Sequence, residues 1–230
     1  MRETIKAVLF DFNGTMLYDT PIHEAVWLDF IPTRGGRLGS REEYCRHLFG
    51  CTNRHILTHY LPGLSEADIA RLSYEKEAEY RRRCVADDQV FHLVDGLPVF
   101  LDALKARNVP MTIATGSEFE NVDFYFKSPK LGLTRWFRFD QVVYDDGTLP
   151  GKPAPDIYRK AAEKIGFDCR DCAVFEDSYA GVAAARAAGA KYVIALGGSQ
   201  KETFDGVGGV DMSVSDFRDF ASFPGFEWLK

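Results

Sequence analysis

The sequence predicts an α/β protein with a parallel sheet, helices on both faces of that sheet, and an inserted α-helical cap domain. Two observations support this prediction. Short apolar runs that end in polar turn residues alternate with segments of helical composition, which is the pattern of strand–helix–strand units. A long stretch of helical character interrupts the alternation once, directly after the first apolar run. We therefore expect a core domain of residues 1–17 and 95–230 and a cap domain of residues 18–94.

Five segments are predicted to be strands. The first strand, Ile5–Phe10, is apolar except for Lys6 and is followed by polar residues that begin with Asp11. The other predicted strands end in polar turns in the same way, and they are Val109–Ala114, Asp140–Tyr144, Cys172–Phe175 and Lys191–Leu196. Ligands of such Rossmann-like sheets bind outside the carboxyl ends of the strands. The polar residues that follow the strands should therefore form one site.

Helices are predicted between these strands and through much of the cap domain. The helices of the core are expected at Pro98–Arg107, Glu118–Phe126, Ala154–Ile165 and Ala180–Ala188. The last of them is rich in alanine and stops at Gly189, a residue suited to a helix end. In the cap domain, Ser65 and Asp68 have the spacing of a capping box, which predicts a helix start. The charged run Glu75–Arg83 is expected to be a solvated face of that helix.

The composition excludes several classes of protein. The 230 residues are 46% hydrophobic and 13% aromatic, so the chain can build a core and is not expected to be disordered. Acidic residues outnumber basic ones by 34 to 28, which disfavours a nucleic-acid partner. There is no apolar stretch of about 18 residues and no signal peptide, so we expect no membrane association and a cytoplasmic location. The five cysteines are odd in number, and Cys169 and Cys172 are expected to be structural.

Four ordered segments of the chain carry polar residues suited to phosphate chemistry. They are Phe10-Asp11-Phe12-Asn13-Gly14-Thr15, then Thr115, then Gly151-Lys152-Pro153-Ala154-Pro155-Asp156, and last Phe175-Glu176-Asp177-Ser178-Tyr179-Ala180-Gly181. In this order and spacing they resemble the four motifs of the haloacid dehalogenase superfamily of phosphatases. The resemblance covers nearly the whole chain. It is greatest to the branch with a helical cap after the first motif, which includes β-phosphoglucomutase and phosphoglycolate phosphatases.

The resemblance implies a phosphatase that uses Asp11 as its nucleophile. A carboxylate at the end of a buried strand can attack phosphorus, and an aspartyl-phosphate then forms, if a cation cancels the repulsion between the two anions. Mg²⁺ prefers carboxylates and carbonyl oxygens as ligands. Asp11, the Asn13 carbonyl, Glu176 and Asp177 are the expected metal ligands, with Glu176 binding directly or through another group.

Other residues of the motifs are expected to hold the phosphoryl group. The Thr115 hydroxyl and the Gly116 and Ser117 amides lie where a strand is predicted to meet a helix, and the positive end of a helix attracts phosphate. Thr115 can also act as a helix N-cap. Lys152 would add a fixed positive charge beside the phosphoryl group and the nucleophile. Gly14 and Thr15 complete the expected phosphate-binding residues of the core.

Asn13 departs from the pattern of the resembling family, which usually has an aspartate there as the acid and base. An amide cannot protonate a leaving oxygen or activate water, and general acid–base catalysis contributes about 10²- to 10⁴-fold. Several explanations stay open at this point. Another residue supplies the proton, the substrate has a good leaving group, catalysis is slow, or the asparagine is an engineered substitution.

Three residues of the cap domain are candidates for substrate binding. His23 lies at the entrance to the predicted cap, and its imidazole titrates near neutrality, so His23 or Glu24 is one candidate to replace the missing acid. Asn53 and Arg54 are candidates for substrate specificity. The expected partner is a small phosphorylated metabolite such as a sugar phosphate, and the sequence predicts no oligomeric state. The alternative functions are a β-phosphoglucomutase-like phosphotransferase and a regulatory protein that binds such a metabolite with little turnover.

Overall fold

The computed structural model describes residues 5–40, 48, 51–86, 89, 91–197, 204 and 206–229. The chain divides into two compact units. One consists of Met1–Tyr18 and His92–Lys230 and the other of Asp19–Phe91. We call the first the α/β unit and the second the helical unit. No helix in the described ranges has the length and apolar character needed to cross a membrane.

The α/β unit contains one sheet of six parallel strands in the order β3-β2-β1-β4-β5-β6. The strands are β1 (Ala7–Phe10), β2 (Met111–Glu118), β3 (Val143–Asp145), β4 (Cys172–Glu176), β5 (Tyr192–Leu196) and β6 (Met212–Val214). The predicted fold class is thereby confirmed. The last strand, β6, has no counterpart in the sequence-based prediction, because its three residues, Met-Ser-Val, are too few to show a pattern.

The described α-helices number seven. In chain order they are α1 (Thr20–Phe30), α2 (Asn53–Tyr60), α3 (Glu66–Ala86), α4 (Leu97–Ala106), α5 (Phe119–Lys127), α6 (Asp156–Lys164) and α7 (Tyr179–Ala188). The first three belong to the helical unit and the last four to the α/β unit. Helix α7 shows how local chemistry sets its bounds. The Ser178 hydroxyl accepts a hydrogen bond from the Gly181 amide at 3.0 Å, and the helix ends at Gly189 with φ of 89°.

Strand β1 lies in the interior of the sheet between β2 and β4. All four of its residues are fully buried, and Phe10 pairs with Ile113 on one side and Phe175 on the other. A strand with both faces covered is apolar throughout, which explains why this segment is an unbroken apolar run. The polar residues after β1 and β4 consequently come side by side at one edge of the sheet.

Two predicted strand boundaries are wrong. Strand β2 was expected to end at Ala114 before a turn, but it extends to Glu118, which pairs with Asp145 of β3 after an irregularity in the register. The backbone groups of this polar segment therefore find partners in a neighbouring strand. Conversely, Asp140 lies in a short 3₁₀ helix, Phe139–Gln141, and β3 begins only at Val143.

A cluster of phenylalanines packs around the end of β1. Phe10 stacks on Phe175 with ring centroids 5.1 Å apart. Around this pair lie Phe100 of α4 and three rings from the end of the chain, Phe217, Phe223 and Phe226. These six side chains are buried to at least 99%, so the strand that precedes Asp11 is fixed by aromatic packing.

The cysteines of the α/β unit are buried thiols. Cys169 and Cys172 are both free, and burial raises the pKa of each to about 12. The Cys172 thiol donates to the Asp168 carbonyl oxygen at 3.3 Å. Thiols of this kind are inert, since the thiolate is the reactive form. The pair therefore serves packing, in agreement with the expectation for this C-x-x-C segment.

The helical unit has its own apolar core. Trp27, Phe30, Ile56, Leu57 and Leu72 are among its buried residues. Helix α3 begins as predicted, because the Ser65 hydroxyl accepts from the Asp68 amide at 3.2 Å and donates to the Asp68 carboxylate at 2.6 Å.

The charged run along α3 differs from the prediction of a solvated face. Lys76 is only 1% exposed, and Glu77 and Tyr80 are also buried. Lys76 Nζ lies 2.7 Å from Glu77 Oε1 and 2.7 Å from His23 Nδ1. The Tyr80 hydroxyl donates to buried Asp19. Lys76 and Tyr80 are four residues apart and therefore lie on the same face of the helix. This face can be buried because its polar and charged groups have partners.

Removing the Lys76 ammonium should destabilise the helical unit strongly. We expect Lys76→Met to lower the free energy of unfolding by about 3–5 kcal/mol, the typical cost of breaking a buried ion pair on one side. Urea unfolding followed by circular dichroism measures the change. Arg71→Met is the matched control, because the ion pairs of Arg71 with Asp68 and Glu75 on the same helix are exposed and exposed pairs contribute little to stability. Equal losses in the two variants would contradict this prediction.

Candidate active site

The candidate site lies where β1 and β4 end. Asp11 directly follows β1, Glu176 is the last residue of β4, and Asp177 comes next. The Asp11 amide donates to the Phe175 carbonyl oxygen at 3.0 Å, which continues the pairing of the two strands. The structure thus brings together three of the carboxylates that the sequence analysis selected.

Lys152 links two of these carboxylates. Its Nζ atom lies 2.6 Å from Asp11 Oδ1 and forms a second ion pair with Glu176 Oε1. The Lys152 side chain is 12% exposed, and those of its two partners are 8% and 0% exposed. Burial opposes the charged lysine, but Asp11 and Glu176 more than offset this effect and raise its pKa. Lys152 is therefore a permanent cation beside Asp11.

Glu176 is held by protein donors on both of its carboxylate oxygens. Oε1 accepts from Lys152 and from the Tyr158 hydroxyl, the latter at 2.5 Å. Oε2 accepts from the amides of Asp177 and Ser178 at 2.9 and 3.1 Å, and from the Ser178 hydroxyl at 3.1 Å. These bonds favour the ionised carboxylate, and the pKa of Glu176 is lowered although burial opposes the shift. Glu176 thus anchors Lys152.

Asp11 is in the opposite situation. Its Oδ2 atom is buried and has no hydrogen-bond partner among the described residues. Burial raises the pKa of Asp11 from 3.8 to about 7, and Glu176 adds to the rise while Lys152 opposes it. One carboxylate oxygen each from Asp11, Glu176 and Asp177 lie within 4.8 Å of one another. An oxygen-rich cluster with one buried oxygen left unpartnered fits a hard divalent cation such as Mg²⁺.

Two glycines make room for these carboxylates. Gly14 has φ of +80°, and a Cβ atom added there would lie 1.8 Å from Asp177 Oδ2. A Cβ atom on Gly181 would lie 1.8 Å from Glu176 Oε1. Both values are far below any real contact distance, so glycine is required at each position for the carboxylates to sit where they do. Gly14 makes room for the Asp177 carboxylate, and its role in substrate binding stays a prediction.

The Asn13 side chain is bound on both of its polar ends. Nδ2 donates to the Tyr125 hydroxyl at 2.9 Å, and Oδ1 accepts from the Ser117 hydroxyl at 2.7 Å. The Thr115 hydroxyl lies 3.5 Å from the same Oδ1 atom and accepts from the Ser117 amide at 3.1 Å. The amide of Asn13 therefore connects the end of β1 with the end of β2 and with α5.

The remaining predicted residues of the α/β unit lie near these groups in the chain. The Thr15 hydroxyl is buried and has no hydrogen-bond partner in the described part of the structure. Gly116 is exposed within β2, and an added Cβ atom would contact nothing there. The positive helix end expected at Thr115 begins later, at Phe119, because β2 continues through this segment. Phosphate binding by these residues stays a prediction.

The predicted substrate-binding residues of the helical unit have partners within that unit. Asn53 donates to Glu77 at 2.8 Å, and exposed Arg54 pairs with Glu66. A lysine ammonium can only donate hydrogen bonds, so His23 Nδ1 must accept from Lys76. The ring proton of His23 is then on Nε2, which lies 3.5 Å from Asp19 Oδ2. The functional roles of these three residues stay predictions.

Two tyrosines of the site were missed by the sequence analysis. Tyr158 lies on α6, six residues after Lys152, and Tyr125 lies on α5, in the helix that follows Thr115. Both are buried to at least 99%. Each lies in an amphipathic helix, where an aromatic residue is typical of the core and the sequence does not show which group its hydroxyl binds. Their nearness in sequence to predicted motifs is the one signal that could have selected them.

Comparison with known proteins decides the family. A family model described as haloacid dehalogenase-like hydrolase matches residues 5–189, which is most of the chain and includes every motif residue named above. The chain belongs to the haloacid dehalogenase-like hydrolases. The resemblance deduced from the four motifs is confirmed.

Individual relatives of this haloacid dehalogenase-like chain cover nearly its full length. Protein CbbY of Rhodobacter capsulatus is 29% identical over 93% of this chain and 92% of its own. Fructose-1-phosphate phosphatase YqaB of Escherichia coli is 30% identical over 82% of this chain and 95% of its own. The crystal structure of a HAD hydrolase of family IA, variant 3, from Entamoeba histolytica superposes with a TM-score of 0.86 at 35% identity, covering 98% and 99% of the two chains.

Proposed function

We propose that this chain is a Mg²⁺-dependent phosphatase of a small phosphorylated metabolite such as a sugar phosphate. The observation that carries the proposal is the buried carboxylate cluster, in which Lys152 holds one oxygen of Asp11 while the other has no hydrogen-bond partner among the described residues. The name of the relative YqaB, a fructose-1-phosphate phosphatase, supports the substrate class. Asp11 and Asp177, with the Asn13 carbonyl, would hold the cation, and Glu176 would keep Lys152 in place.

The residues of the site suit a two-step reaction. Mg²⁺, when bound, supplies positive charge that lets two anions approach each other. The Asp11 carboxylate attacks phosphorus, and the bond from phosphorus to the leaving oxygen breaks with its electron pair on that oxygen. Water then attacks the same phosphorus, and the bond from phosphorus to the Asp11 oxygen breaks with its electron pair on Asp11. The carboxylate is restored, and the protons of the water leave with the phosphate or pass to solvent. Lys152 holds positive charge beside Asp11 throughout, and the Thr115 hydroxyl is the proposed donor for a phosphoryl oxygen.

Release of p-nitrophenol from p-nitrophenyl phosphate tests the proposal directly, because this leaving group needs no acid. We expect turnover that depends on Mg²⁺, is removed by a chelator and returns on addition of the metal. Asp11→Ala should reduce it to the background rate, since the nucleophile is lost.

A matched variant separates chemistry from folding. Asp171→Ala removes a carboxylate of the same unit that pairs with exposed Lys6 at 3.1 Å, so it should keep the parental rate. If the parent releases no p-nitrophenol with Mg²⁺, or if Asp11→Ala retains the parental rate, the proposed function is wrong.

A further inference from the structure

Asn13 occupies the position at which the resembling family usually has a proton-transferring aspartate. Its side chain is held by hydrogen bonds at both polar ends. The Tyr125 hydroxyl accepts from its amide nitrogen and the Ser117 hydroxyl donates to its amide oxygen, at 2.9 and 2.7 Å. Tyr125 is itself immobile, since it is 1% exposed and its ring stacks on Phe12 with centroids 4.4 Å apart. The side-chain amide of Asn13 is thus held in a defined orientation. An amide neither releases nor takes up a proton near neutral pH.

Three other side chains that carry protons, Lys152, Tyr158 and the candidate His23, have partners of their own. Lys152 is bound by two carboxylates, and the Tyr158 proton is given to Glu176. In the helical unit, both ring nitrogens of His23 face partners, Lys76 and Asp19. None of these described groups is a carboxylic acid placed to give a proton to a leaving oxygen. The chemistry available around Asn13 is hydrogen bonding by amide and hydroxyl groups.

We propose that this site selects phosphates whose leaving group departs as a stable anion. Tyr125 is the positioning residue that holds the Asn13 amide in its place in the site. The inference rests on the proposed function. In the first step the bond from Asp11 to phosphorus forms, and the leaving oxygen takes the electron pair of the broken bond without receiving a proton from the protein. Phosphates of phenols, enols and carboxylic acids meet this requirement. Phosphates of alcohols, which include most sugar phosphates, should react about 10²- to 10⁴-fold more slowly, so the inference narrows the metabolites given under the proposed function.

A matched pair of substrates tests the selection. p-Nitrophenyl and p-nitrobenzyl phosphate differ by one CH₂ group, but the first releases a stable phenolate and the second a basic alkoxide. We expect the parent to prefer the phenyl ester in kcat/KM by about 10²- to 10⁴-fold, the usual contribution of acid–base catalysis that the site lacks. Asn13→Asp, which keeps the shape of the side chain, should shrink the preference at least tenfold by raising turnover of the benzyl ester.

The results separate failure of this inference from failure of the proposed function. Comparable release from both esters by the parent, or the same preference in parent and Asn13→Asp, overturns the inference while leaving a phosphatase. Absence of release from either ester overturns the proposed function itself.

The role of Tyr125 has a test of its own. Tyr125→Phe removes only the hydroxyl, and we expect kcat for p-nitrophenyl phosphate to fall about tenfold with KM unchanged, because a hydrogen bond that orients Asn13 is lost. In an Asn13→Ala background the same change should alter kcat less than twofold. Equal effects in the two backgrounds would show that Tyr125 acts on the fold and not through Asn13.

Discussion

Lys152→Met is expected to lower kcat for p-nitrophenyl phosphate by about 10²- to 10³-fold, the loss seen when one fixed electrostatic partner is removed from an active site. The physical reason is the pairing of Lys152 with Asp11 at 2.6 Å and with Glu176, both of them buried. Without the ammonium, these carboxylates repel each other and the incoming phosphoryl group. Steady-state kinetics at saturating Mg²⁺ measures the change.

The same substitution leaves buried negative charge behind, so its effect on folding must be separated from its effect on turnover. The double variant Lys152→Met with Glu176→Gln removes one cation and one anion together. The Gln carbonyl oxygen can still accept from the backbone amides of Asp177 and Ser178, while its NH₂ group can donate to the Tyr158 hydroxyl oxygen. It should recover stability against urea but not activity. Recovery of activity in the double variant would mean that Lys152 has only a structural role.

Gly14→Ala is the second change with a large expected effect. The added Cβ atom would lie 1.8 Å from Asp177 Oδ2, so the Asp177 carboxylate must leave its present position. Displacement of a site group by about 1 Å can cost about 10²-fold in rate, and we expect at least this loss in kcat. The Mg²⁺ concentration for half-maximal activity should also rise, because Asp177 is an expected ligand.

Gly166→Ala is the control for backbone strain. Gly166 has φ of +84°, close to the +80° of Gly14, but an added Cβ atom there would meet nothing within 4 Å. Both variants should lose about 1–2 kcal/mol of stability from the left-handed backbone. Only Gly14→Ala should lose activity, and equal kinetics in the two variants would refute the steric argument.

The α/β core could be predicted from sequence because its signals are local. Each buried strand is a short apolar run, and the residue that follows it, such as Asp11 or Asp177, must lie at the carboxyl edge of the sheet. Since β1 and β4 are neighbours, these residues meet. The end of β2 could not be predicted, because its polar residues Thr115–Glu118 are held in the strand by pairing with β3, a partner distant in sequence.

Side-chain partners across the fold were equally hidden. The charged run of α3 has the composition of a solvated surface, yet Lys76 and Glu77 are buried because they neutralise each other and meet His23 and Asn53 from elsewhere in the helical unit. The amino-acid composition shows which residues are charged but not which of them form buried ion pairs. The hydroxyls of Tyr125 and Tyr158 were missed for the same reason, since a tyrosine on a helix has the pattern of any aromatic core residue.

The phenylalanine cluster has a consequence for the synthesis of this chain. Strand β1 is synthesised about 200 residues before Phe217, Phe223 and Phe226, which pack around the Phe10–Phe175 pair. The helical unit, Asp19–Phe91, is continuous in sequence and can fold while translation proceeds. The strand that precedes Asp11 therefore lacks its full aromatic packing until residues 217–226 have been synthesised, and a chain that stops short of residue 217 leaves apolar surface of this strand exposed.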